Sequence, residues 1–78
     1  MRADLTEEQL AAYRKLMVEA RASLEETQTE AARGSGLSQA TISALERQPG
    51  RSILLFFQLL DYYQIEPNKI ARVFGLTH

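Results

Sequence analysis

Near the start of the chain, apolar residues recur at three- and four-residue steps: Leu10, Tyr13, Met17, Ala20 and Leu24, with Leu16 beside them. That spacing puts one buried stripe on a helix. Thr6-Glu7-Glu8-Gln9 resembles a capping box, with Thr6 as the N-cap and Gln9 reaching back to it. Glu7 and Glu8 suit the positive end of the helix dipole. The first helix is expected to end near Ser23. A second cap, Thr27, precedes Gln28-Thr29-Glu30-Ala31-Ala32-Arg33, a run of high helix propensity. Gly34-Ser35-Gly36 is expected to stop it, and Ser38 to cap a third helix from Gln39 to Arg47. Ala32, Leu37, Ile42 and Leu45 are the apolar points that would hold these two short helices together.

Pro49-Gly50 marks a turn, and Ser52 is placed to cap a fourth helix, Ile53 to Tyr63. That helix is apolar almost all round, with polar residues only at Gln58, Asp61 and the following Gln64. Such a helix is buried in its own domain or against a partner. Core burial accounts for Ile53, Phe56, Phe57, Leu60 and Tyr63, and less well for Leu54, Leu55 and Tyr62. A final short helix opens with Pro67 near its first position, with Glu66 as an imperfect cap. It carries Ile70, Val73 and Phe74 as its stripe and ends at Gly75. The expected fold is all-α: five helices in one domain over residues 1–78, with residues 1–5 loose.

Two short helices joined across a glycine-containing break form the unit that lays its second helix in the DNA major groove. The third helix has the polarity of such a reader. Ile42 and Leu45 share one face, while Gln39, Ala40, Ser43 and Arg47 lie elsewhere and are small or polar. Side chains that read base edges must be short enough to admit the backbone, or must carry amide or guanidinium donors. The plain alternative is a helical hairpin whose polar face meets only water.

Composition narrows the choice. The chain has 78 residues and no cysteine, so neither disulfides nor thiolate metal sites staple it. Its single histidine, His78, cannot build a catalytic or metal cluster alone. No apolar run approaches the roughly 20 residues that span a bilayer, and no basic start leads into an apolar signal region. A soluble, cytoplasmic protein is expected, without cofactor or metal. The net charge of −1 does not advertise nucleic-acid binding, so a basic patch has to be local. From Thr27 to Arg51, Arg33, Arg47 and Arg51 stand against Glu30 and Glu46, which leaves this segment mildly positive. No nucleophile–base pairing or phosphate-cradling glycine loop suggests an enzyme.

The run Thr27-Gln28, then Ala32, then Gly36-Leu37-Ser38-Gln39-Ala40-Thr41-Ile42-Ser43-Ala44-Leu45-Glu46 resembles the Xre/Cro phage-repressor helix-turn-helix family. That family's pattern reads T-Q, three residues, A, three residues, then G-V-S-Q-x-x-I-S-x-x-E. The match has no gap from Thr27 to Glu46, and its most specific part is SQATIS followed by LE. It extends back to Arg21 and forward, across a shortened loop, to Ile70. The chain departs from the family in several places. Its first helix is long. Glu25-Glu26 replaces the usual G-L before T-Q, Gln48 stands where Gly is usual, and Leu54 and Leu55 stand where polar residues are usual.

The resemblance implies a compact, lambda-repressor-like domain that binds double-stranded DNA as a regulator, repressing from a short pseudo-palindromic operator. On that reading Gln39, Ala40, Ser43 and Ala44 face bases, Gln39 reading an adenine through its amide and Ala40 meeting a thymine methyl. Ala44 stands where relatives often carry a longer reader. Thr27 and Gln28 would hold a phosphate at the second helix's N-terminus, Ser38 and Thr41 would add hydroxyl contacts, and Arg47 and Arg51 would grip the backbone. Arg21 and Glu46 would form a structural ion pair. A homodimer would pair two recognition helices through Leu54, Leu55, Tyr62, Val73, Phe74 and Leu76. Its rival is a first helix that folds back over the fourth. A second function class stays open: a protein-interaction module that uses the apolar fourth helix, with weak DNA binding.

Overall fold

The computed structural model describes residues 5–76. Five α-helices follow in that span: α1 (Glu7–Ser23), α2 (Gln28–Ser35), α3 (Gln39–Arg47), α4 (Ile53–Tyr62) and α5 (Pro67–Val73). No strand occurs among the described residues, so the all-α expectation holds. The expected looseness of residues 1–5 falls on residues 1–4, outside the described residues, except for a half-buried Leu5.

The helix starts follow the sequence. The Thr6 hydroxyl accepts the Gln9 N–H at 3.1 Å, and the Gln9 side chain accepts the Thr6 N–H at 2.9 Å. Thr27 and Glu30 repeat this reciprocal box on α2, at 3.2 and 2.8 Å. Ser38 and Ser52 accept the N–H of Thr41 and Leu55. Glu66 makes no side-chain cap bond, and Pro67 supplies the pre-set φ of the first turn of α5.

The ends need more than local chemistry. α1, α4 and α5 each close through a left-handed residue: Glu25 (φ 57°), Gln64 (φ 58°) and Gly75 (φ 72°). The N–H of the residue after each reaches back to satisfy a last-turn carbonyl, as Ile65 does to Leu60 at 2.9 Å and Leu76 to Ala71 at 2.8 Å. α2 runs through Gly34 and Ser35 and closes only at Gly36 (φ 79°), two residues later than expected. Gly34 is a contact position rather than a stop, because a Cβ there would run into the Tyr62 hydroxyl. α3 has no left-handed cap, because Gln48 is extended. Side chains of α1 take its last carbonyls instead: the Tyr13 hydroxyl donates to Leu45 and Arg14 Nε donates to Arg47 at 2.8 Å.

α1 and α2 both pack on α3, α1 also meets α5, and α2 also meets α4. Tyr13, Met17, Ala31, Ile42 and Leu59 lie at the centre, fully out of water. Ala31, not Ala32, is the deepest residue of α2. The N-terminal turns of α1 lie along α5: the Tyr13 ring is 5.8 Å from Phe74, and Gln9 Nε2 donates to the Phe74 carbonyl. α1 therefore packs on its own domain, yet it leaves the outer side of α4 open. Two core expectations for α4 are corrected. Ile53 is 64 % exposed and Phe57 about half exposed, whereas Leu59 is buried. When nearly every position is apolar, periodicity cannot say which side points inward. The packed side proves to be Phe56, Leu59, Leu60 and Tyr63, the last being the C-cap rather than part of the helix.

Candidate nucleic-acid interface

α3 presents two unlike sides. Ile42, Leu45 and Glu46 are buried. Gln39, Ala40 and Ala44 are expected to face bases together with Ser43; these three are exposed and Ser43 is half-buried. Ala44 lies on the same outer stretch of the helix, between half-buried Ser43 and buried Leu45. Gly36 turns the chain between α2 and α3 with a left-handed backbone that a side chain would strain. Gln58 Nε2 fixes this turn from α4 by donating to the Ser35 carbonyl at 2.8 Å.

Glu46 ties α3 to the rest of the fold. Only 4 % of this residue is exposed, and its carboxylate accepts four hydrogen bonds. Oε2 takes Arg21 Nε at 2.7 Å and the Tyr63 hydroxyl at 2.6 Å. Oε1 takes Gln28 Nε2 at 3.1 Å and Arg21 Nη2 at 3.2 Å. Arg21 grips the carboxylate as a bidentate fork through Nε and Nη2, and Nη1 continues to the Glu26 carbonyl at 3.1 Å. Burial by itself raises the Glu46 pKa, but the hydrogen bonds from Arg21, Tyr63 and Gln28 outweigh it, and the carboxyl is held below its ordinary value. The same contacts push the Tyr63 phenol up, burial first and the Glu46 carboxylate second. One carboxylate thus joins α1, α2 and the end of α4 to α3, with its full acceptor capacity in use.

The residues expected to hold phosphates divide. Arg47 and Arg51 are exposed or nearly so, and among the described residues neither pairs with an acid. Ser38 donates its hydroxyl to Thr41 Oγ1 at 2.8 Å, which leaves the Thr41 hydroxyl hydrogen for an outside acceptor. At the start of α2 the capping box already takes the Thr27 and Glu30 N–H groups, so an anion there would meet those of Gln28 and Thr29. The Gln28 side chain spends one of its amide hydrogens on Glu46. Glu26, beside this helix start, is bonded by the Tyr62 hydroxyl at 2.8 and 2.9 Å.

The expected dimer residues divide as well. Leu54 is 79 % and Leu76 72 % exposed, and Leu55 is at the margin of exposure. Tyr62, Val73 and Phe74 are half-buried and pack on the monomer's own core. A groove of about 210 Å³ between α4 and α5 is lined only by apolar side chains, among them Phe57, Pro67, Phe74 and Leu76. Among the described residues no group of three acids or histidines could hold a metal, and no helix is long and apolar enough to cross a membrane.

Sequence reasoning missed Tyr13, Arg14 and Tyr63 as anchors of α3. Each partner lies far off in the chain, from 17 to 33 positions away, so no local pattern carries the signal. Comparison with protein-family models, with curated proteins and with solved structures finds no match.

Proposed function

We propose that this chain is a sequence-specific DNA-binding regulator that docks α3 in the major groove. The observation that carries the reading is the division of α3. Its apolar side and Glu46 are locked inward, and a row of small and amide side chains, Gln39, Ala40, Ser43 and Ala44, lies outside them, with Arg47 and Arg51 close by in the chain. The resemblance of Thr27 to Glu46 to the Xre/Cro family supports the same reading. Gln39 offers a donor and an acceptor to an adenine edge, and Ala40 and Ala44 offer methyl groups. The N–H groups of Gln28 and Thr29, the Thr41 hydroxyl and the two arginines hold phosphates and set the register. The protein works by equilibrium binding in the cytoplasm, as a repressor that occludes its operator. Two copies pair about one helical turn apart on a pseudo-palindrome.

Selection of bound sites from random duplex DNA tests this. An enriched palindromic consensus, with affinity falling steeply as salt rises, is the expected result. No enrichment at low salt removes the proposal. A second reading, a protein-interaction module, is favoured by one observation: the apolar groove between α4 and α5, with Ile53 and Leu54 exposed on the same helix. Its binding to a protein partner would change little with salt.

A further inference from the structure

We infer that Tyr63 is a positioning residue for DNA reading: its hydroxyl, through Glu46, holds α3 in the attitude that presents Gln39 to the groove. The inference rests on the DNA-binding reading. Tyr63 is buried at the C-cap of α4, outside the helix-turn-helix unit, and its hydroxyl donates to Glu46 Oε2 at 2.6 Å. Of the four bonds on that carboxylate, two come from α1, one from α2 and one from Tyr63. Tyr63 is therefore the link by which the α4–α5 half of the molecule grips the recognition helix directly at its buried acid.

The geometry argues for orientation as well as cohesion. Arg21 clamps Glu46 from the α1 side with a two-point fork that sets the plane of the carboxylate. Gln28 and Tyr63 each bond one of its two oxygens, so the carboxylate is also held from α2 and from the end of α4. The Tyr63 ring is fixed independently by Tyr62, whose centroid is 6.1 Å away, and by the core. The backbone just beyond it is pinned by left-handed Gln64, with the Ile65 N–H bonded to the Leu60 carbonyl at 2.9 Å. The donor is thus held on a rigid mount, as an orienting group must be.

Tyr63→Phe removes the hydroxyl and keeps the ring. The test is a double-mutant cycle with Gln39→Ala, read as affinity for the duplex that the wild type selects and for an unrelated duplex, with each protein's fold checked by circular dichroism. Tyr63→Phe is expected to weaken selected-site binding by about tenfold and unrelated-duplex binding by much less. Gln39→Ala should then cost less in the Tyr63→Phe background than in the wild type, because a misdirected Gln39 has less contact to lose. Residues 39 and 63 share no hydrogen bond, so a purely structural tyrosine gives additive losses, and additivity overturns the inference. Equal weakening on both duplexes also overturns it. If Tyr63→Phe does not fold, the cycle is run with Gln64→Gly, which relaxes the positive φ next door, in all four proteins. A wild type that selects no duplex overturns the DNA reading itself and this inference with it. Selection by the wild type together with an additive cycle overturns this inference alone.

Discussion

Single side chains decide how α3 is held and, on the proposed reading, what it would read. Gln39 is exposed on the first turn of α3, and on the proposed reading its amide would offer a donor and an acceptor to a base edge. Gln39→Ala is expected to weaken specific binding by about 1–3 kcal/mol and to relax one base position per half-site. Repeating the site selection with the variant checks this, and an unchanged consensus would show that Gln39 reads nothing. Glu46 acts from the opposite side. Because its folded pKa is depressed, the unfolded state binds protons more readily. Its contribution is therefore fully present above the ordinary glutamate value of about 4.3 and is lost as pH falls through the lower folded value. Glu46→Gln leaves Arg21, whose side chain is only 19 % exposed, without its counter-charge. The variant should be less stable at pH 7 by about 3–5 kcal/mol, with a flatter stability profile below about pH 4. Denaturant titrations across pH measure both, and a slope equal to that of wild type in acid would remove the assignment.

At the level of the helices, the unusual feature is how they stop. Glu25 takes the left-handed position after α1, where the Xre/Cro pattern that this chain resembles carries glycine. A side chain in that conformation costs about 1–2 kcal/mol, which offsets part of what the reaching-back bond contributes. Glu25→Gly should therefore raise stability by about 1 kcal/mol, less the greater chain entropy of unfolded glycine. It also removes an acid at the N-terminal end of α2, where an anion would dock, so DNA affinity at low salt should rise with it. Thermal melts and a salt titration read the two effects separately. A lower melting temperature would mean that Glu25 makes a contact worth more than its strain. α3 shows the converse case. With an extended Gln48 after it, its terminal carbonyls depend on Tyr13 and Arg14 of α1, so α3 has little stability apart from the helix it packs on.

For the molecule as a whole, the outer side of α4 is its exposed apolar feature. Ile53, Leu54 and Leu76 are more than half exposed beside an apolar groove, a large apolar surface for a domain of this size. A symmetric pair would bury the same patch twice. Tyr62, Val73 and Phe74 serve the monomer's own packing, so the informative substitutions are Leu54→Glu with Leu76→Glu, which leave the core untouched. Sedimentation is expected to show a wild-type dimer and a variant monomer of undiminished helicity. A wild type that sediments as a monomer at every concentration would leave pairing to the DNA or the surface to another protein.

The helix starts were legible residue by residue, because a capping hydroxyl or carboxamide bonds to a backbone group only three positions away. Thr6, Thr27, Ser38 and Ser52 each cap the helix that their local order implies. The turn at Gly36 and the two-sided character of α3 were legible for the same reason, since both are set within one or two helical turns. The Arg21–Glu46 pair came from resemblance, not from spacing. What one dimension did not carry was the facing of α4, the contact role of Gly34, and the anchoring of α3 by Tyr13, Arg14 and Tyr63. An apolar helix without a polar stripe has no preferred side until its neighbours supply one. A glycine reads as a stop until Tyr62, from a helix far along the chain, is found lying against it. Hydrogen bonds that span 17 to 33 positions exist only once packing has brought the helices together, and those long-range bonds settled how α3 is held.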